Sequence, residues 1–211
     1  MIETIKTSLA TNGYAIVNIK ELFPDFKVDE WAAAMKDSWT HDKATYWTFQ
    51  NMILGESDLP SNIDPSDLPE RYALVEEEGL VVDQQYWNFE MDPDYNRADL
   101  GDLVHDLLLE LYHIGEDEDF HQYKRVNCLG MGDLIRPQLL SDKVCQIMLC
   151  LSDVDESTMT DGQITVGDHE VVCKIGTMVI AEKTTTLGLK KVNDNQHRII
   201  CRITVNTYNP E

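Results

Sequence analysis

Residues 132–151 read GDLIRPQLLSDKVCQIMLCL. The second half is an unbroken apolar run of strand length, and the first half, broken by Pro137, Ser141 and Asp142, reads as a loop that feeds this buried strand. Around it the chain has the same texture. KRVNCLGM (124–131), QITVG (163–167), EVVCKI (170–175), TMVIAEK (177–183) and RIICRITVNTY (198–208) are β-branched or apolar runs separated by Asp, Gly, Ser or Asn. Such spacing suits an antiparallel sandwich or barrel.

Upstream the pattern is helical. IETIKTSLATNG (2–13) places Ile2, Ile5 and Leu9 on one face and ends in Asn12-Gly13, a C-terminal stop signal, before the strand-like GYAIVNI. Asp29 is placed to cap a second helix through VDEWAAAMKDSW, with Trp31 and Met35 on a shared face. From Thr40 to Asp94 prolines accumulate and periodicity fades, which predicts long loops with short strands such as LVVDQQYWNFE. Asn96 and Asp99 resemble a capping box, and Leu100, Leu103, Val104, Leu107, Leu108 and Leu111 then follow at helical spacing. This predicts a helix from about Asn96 to His113, closed by Gly115. Helices first and strands after give an α+β chain of one domain, with a helical and loop part over 1–122 and a β-rich part over 123–211.

Composition narrows the function. The 211 residues hold 38 acidic and 17 basic side chains, a net charge of −21, so a nucleic-acid backbone would be repelled. No apolar run approaches the roughly 20 residues that span a bilayer. The five cysteines are an odd number in apolar contexts with no C-x-x-C pair, which predicts reduced core thiols and a cytoplasmic, reducing compartment. No phosphate-binding loop, nucleophile elbow or Gly-rich dinucleotide turn is present.

The opening helix with NGYAIVNI, the long middle helix, and the ordered segments GDLIRPQLL, VCQIMLCLSD, TDGQITV, CKIGTMVIAEK, TTLGLKKV and HRIICRI resemble the iron(II)- and 2-oxoglutarate-dependent dioxygenases of the prolyl-hydroxylase-like group. The resemblance implies a double-stranded β-helix, or jelly roll, with the N-terminal and central helices packed against one sheet. It also implies an iron held by two histidines and a carboxylate, which leave one face of the metal open for the cosubstrate and oxygen. In this sequence the first histidine position falls on Gln138, the carboxylate position on Leu140, and the distal histidine position on Leu187 or Gly188. No histidine is followed two residues later by Asp or Glu. Arg198 stands where the family pairs a cation with the far carboxylate of 2-oxoglutarate, a task suited to a planar bidentate donor.

These positions predict a chain without iron or cosubstrate, a non-catalytic protein that acts by binding a protein partner, by assembly or as a structural component of a larger particle such as a virion. Two alternatives follow from the same residues. An active oxygenase would need Fe(II) and 2-oxoglutarate held by unconventional ligands drawn from His169, His121 or an aspartate. An acidic decoy would present carboxylates to the DNA-binding surface of another protein.

Overall fold

The computed structural model describes residues 1–40, 46–52, 81–88, 97–115, 118–129, 134–138 and 144–208. Helix α1 (Ile2–Asn12) buries Ile5 and Leu9, one turn apart, and stops at Gly13, whose φ of 76° is left-handed and whose N–H donates to the Leu9 carbonyl at 2.8 Å. Strand β1 (Tyr14–Asn18) follows directly. A short helix α2 (Ile19–Leu22), which the sequence pattern does not announce, is capped by the Asn18 side chain accepting from the Lys20 N–H.

Helix α3 (Val28–Thr40) starts two residues before the Glu30 start that an Asp29 cap implies. Asp29 is therefore not its cap but lies in the first turn with Glu30, where negative charge complements the helix dipole. Entry is fixed by packing instead: Phe26, just outside the helix, meets Trp31 in its first turns edge to face at 6.0 Å, a hydrophobic staple. Helix α4 (Arg97–Leu111) carries the predicted stripe. Leu100, Val104, Leu107 and Leu108 are buried, while Leu103 and Leu111 are half-buried. The helix ends at Leu111, before Gly115; Asn96 of the expected cap lies outside the described residues.

The strands are β2 (Tyr46–Met52), β3 (Val81–Asn88), β4 (Asp119–Leu129), β5 (Leu134–Gln138), β6 (Cys145–Cys150), β7 (Ile164–Val166), β8 (His169–Val171), β9 (Thr177–Glu182), β10 (Leu187–Leu189) and β11 (Arg198–Tyr208). All described pairings are antiparallel, in the order β1-β9-β6-β11-β4-β3-β5-β10-β7-β8, with β2 paired to β3. Trp47 and Trp87 are register partners in the β2–β3 pair. Two expectations are corrected. The segment before β6 is not all loop, because residues 134–138 form β5, paired on both sides. EVVCKI is strand only as far as Val171.

Two apolar clusters show how this ribbon of strands folds over. Met148, Val179 and Ile200 from one end of the order join Ile135, Val166 and Leu187 from the other, so the two halves face each other around an interior core. The opposite face of β6, β9 and β11 offers Ile147, Leu149, Ile180, Ile199, Cys201 and Ile203 to α1, α3 and α4. This is the α+β jelly roll with helices on one sheet. No described helix is long and apolar enough to cross a membrane.

Leu107 is 2% exposed at the centre of the helix-to-sheet cluster. Leu107→Ala is expected to cost about 2–5 kcal/mol in denaturant melts, the range for truncating a packed core leucine. A loss below about 1 kcal/mol would place the stripe outside the core.

Candidate functional site

Strand β11 begins at Arg198, on the same face as Ile200 and hence at one end of the interior core. The residue is 0% exposed. A guanidinium in that position must have its charge and its five N–H donors matched locally. Nη1 and Nη2 grip the two oxygens of Asp194 at 2.6 and 2.8 Å. Nη1 also donates to the Gln196 carbonyl, Nη2 to the Asp161 carbonyl at 2.5 Å, and Nε to the Gly162 carbonyl at 3.4 Å. Each of the donors thus has an acceptor from the chain itself.

The surrounding loops are built for this. Gly162 has φ +84°, and a Cβ there would lie 2.9 Å from Nε and Nη2 of Arg198, so only glycine fits beneath the guanidinium. Asp194 also accepts from the backbone N–H groups of Gln196 (2.9 Å) and Thr160 (3.2 Å). Gln196 reaches across to the Asp155 backbone and to Thr158 Oγ1, and Asn193 to Asp161. The Asp194 carboxyl is held down at about 2, chiefly by the hydrogen bond from Arg198 and then by those backbone donors, against the opposing effect of burial. Burial, followed by repulsion from Arg198, lowers the pKa of the neighbouring His197.

Strand β10 lies between β5 and β7, and its register sets Leu187 opposite Gln138. The positions that the resemblance assigns to the first and distal histidines are therefore cross-strand neighbours. Leu187 is 1% exposed and packs in the interior core. Position 188 has no room for any side chain: a Cβ would lie 2.6 Å from the Ile135 carbonyl oxygen and from Pro137 N. Neither residue offers a donor atom to a metal, so these two positions do not fit the iron that the resemblance implies. Leu140 and the Gln138 side chain lie outside the described residues.

The other candidate ligands are scattered. His169 opens the edge strand β8 and rests on Tyr14, with ring centroids 5.4 Å apart. His121 sits on β4, opposite Asn206. Among the described residues no group of three or more His, Cys, Asp or Glu side chains gathers in a metal-holding arrangement. The structure thus brings together Arg198, Asp194, Asp161 and Gly162. Of these, sequence reasoning singles out Arg198 and misses Asp194, Asp161 and Gly162. The spacing of four between Asp194 and Arg198 signals a contact only within a helix, and here Asp194 lies in the loop before β11 while Arg198 opens that strand.

This fold is that of the 2-oxoglutarate- and Fe(II)-dependent oxygenases. A prolyl-4-hydroxylase from Pseudomonas putida superposes with a TM-score of 0.60 at 13% identity, covering 98% of this chain and 99% of that one. A Trichoplax adhaerens prolyl hydroxylase, solved with a hypoxia inducible factor peptide fragment, gives 0.63 at 11% identity over 97% and 88% of the two chains. The viral collagen prolyl hydroxylase of Paramecium Bursaria Chlorella virus-1 gives 0.53 at 10% identity over 93% and 96%. Neither a protein-family model nor a curated protein sequence matches the chain. Identity this low establishes the fold, and activity depends on the site.

Breaking the buried pair leaves one charge uncompensated, so Arg198→Ala is expected to cost about 3–5 kcal/mol in denaturant melts. Asp194→Ala would leave the guanidinium exposed to refilling by a small carboxylate, so formate should raise the melting temperature of that variant and not of the wild type, each against a chloride control. Because the Asp194 pKa is depressed on folding, its contribution is complete above about pH 4 and is lost as pH falls from there toward 2. Asp194→Asn should flatten that acid limb of the stability profile; an unchanged limb would show that other carboxylates carry it.

Proposed function

We propose that this chain is a non-catalytic, oxygenase-like jelly-roll protein that works by binding a protein partner, as an assembly or structural component of a larger particle such as a virion. The observation that carries the reading is the state of Arg198. The resemblance assigns this residue to the far carboxylate of a cosubstrate, and in this chain the guanidinium is already matched by Asp194 and three backbone carbonyls. An incoming diacid would have to displace a carboxylate that is nine-tenths buried and held by two further backbone N–H groups. The donor-free Leu187 and Gly188 support the same conclusion. Among the described residues, Cys145, Cys150, Cys173 and Cys201 are buried and not joined by disulfides, which suits a reducing, intracellular setting.

A second reading, an active oxygenase with unconventional ligands, draws on the solved neighbours, which include prolyl hydroxylases and a 2OG-Fe(II) oxygenase family protein from Burkholderia pseudomallei. One experiment separates the two. The purified protein, loaded anaerobically with Fe(II), is expected to retain no stoichiometric metal after desalting and to release no succinate from 2-oxoglutarate. About one retained iron per chain, with succinate release, would overturn the non-catalytic reading.

A further inference from the structure

The outer side of the helical layer holds a groove of about 700 Å³ between the α2–α3 connection and α4. Its floor and walls are apolar: Trp31 and Leu100 are buried, and Phe23, Phe26 and Leu103 are half-buried. Its rim is acidic, with Asp25 and Glu30 on one side and Asp102 and Asp106 on the other. Lys27, the one lysine among the described lining residues, is engaged by Glu30 at 3.2 Å and so adds little free positive charge.

We infer that this groove docks a basic amphipathic helix of a protein partner. The inference rests on the binding role proposed above and supplies the surface and the chemistry of what it takes. Three features choose the occupant. Half-buried aromatic and leucine side chains between two helices favour the apolar face of a third helix, which would remove them from water. Asp102 and Asp106 are one helical turn apart, a spacing that lysines or arginines at i and i+4 on a facing helix reproduce. Four rim carboxylates against one paired lysine exclude an acidic partner and repel a phosphate backbone, so the complement is a protein cation.

A fluorescein-labelled peptide of leucine and lysine, about 14 residues long with all leucines on one helical face, is the probe, beside a scrambled peptide of the same composition. Anisotropy titrations with the full chain at about 150 mM salt screen general polyelectrolyte attraction. The amphipathic peptide is expected to bind at least about tenfold more tightly than the scrambled one. Asp102→Lys with Asp106→Lys should weaken it by at least about tenfold, and Leu103→Ser should weaken it without abolishing folding. The same charge change at exposed loop positions, Glu156→Lys with Asp168→Lys, should alter binding by less than about twofold. Equal binding of the two peptides, equal losses in the two charge-reversed variants, or full binding by Leu103→Ser would overturn the proposal. So would sedimentation showing a dimer that rim reversal dissolves, since that would seat a second copy in the groove. These outcomes are independent of the iron and succinate assay, so failure here is distinguishable from failure of the non-catalytic reading.

Discussion

Strand β11 carries two opposite obligations, and the alternation of its side chains meets both. Ile199, Cys201, Ile203 and Val205 face the helices, and Arg198 and Ile200 face the interior of the jelly roll. The strand is pinned on both sides, by eleven register partners on β4 and six on β6. A slip of one residue would drive the guanidinium of Arg198 into the helix-facing apolar cluster and turn Ile199, Cys201 and Ile203 inward. Placement of Arg198 is thus a consequence of sheet register, and the loops that surround it have to answer a buried charge.

They answer it with Asp194, the Asp161 and Gly162 carbonyls and the Gln196 carbonyl. Taking an ion pair out of water carries a desolvation cost that Coulomb attraction alone offsets only when geometry is good and the remaining donors are bonded. Here the pair is bidentate and every donor is used, which is the favourable case. The result ties the segment around Thr160–Gly162 to that around Asp194–Gln196 across the end of the jelly roll, and Gln196 extends the tie to Asp155 and Thr158. In this chain the buried arginine is answered by a carboxylate of the chain's own, Asp194.

The same logic separates interior from exterior. Among the described residues, the interior of the jelly roll holds a cluster of apolar side chains and the satisfied Arg198–Asp194 ion pair, and the chain as a whole has a net charge of −21. Under the binding role proposed above, selectivity would reside on the charged surface, where repulsion discriminates against acidic partners at long range. The groove between α4 and the α2–α3 connection is where aromatic surface and that charge coincide.

Elements built from local periodicity were legible in the sequence. The Ile5 and Leu9 face of α1 with its Gly13 stop, the leucine stripe of α4, and the apolar runs of β6, β9 and β11 each carry a pattern that a window of neighbouring residues contains. The jelly roll was legible through the order of these segments, and the acidity through composition. Elements held by distant partners were not. Strand β5 contains Pro137 and loop-like neighbours, and becomes a strand only because β3 and β10 flank it. Gly188 looks like a turn residue, yet its role is to let β10 approach the backbone of Ile135 and Pro137. The sequence by itself determined which residues must be buried and which Arg must be accounted for. Tertiary structure alone decided that Asp194 would account for it, because that contact depends on where two loops meet in space and no local periodicity encodes it.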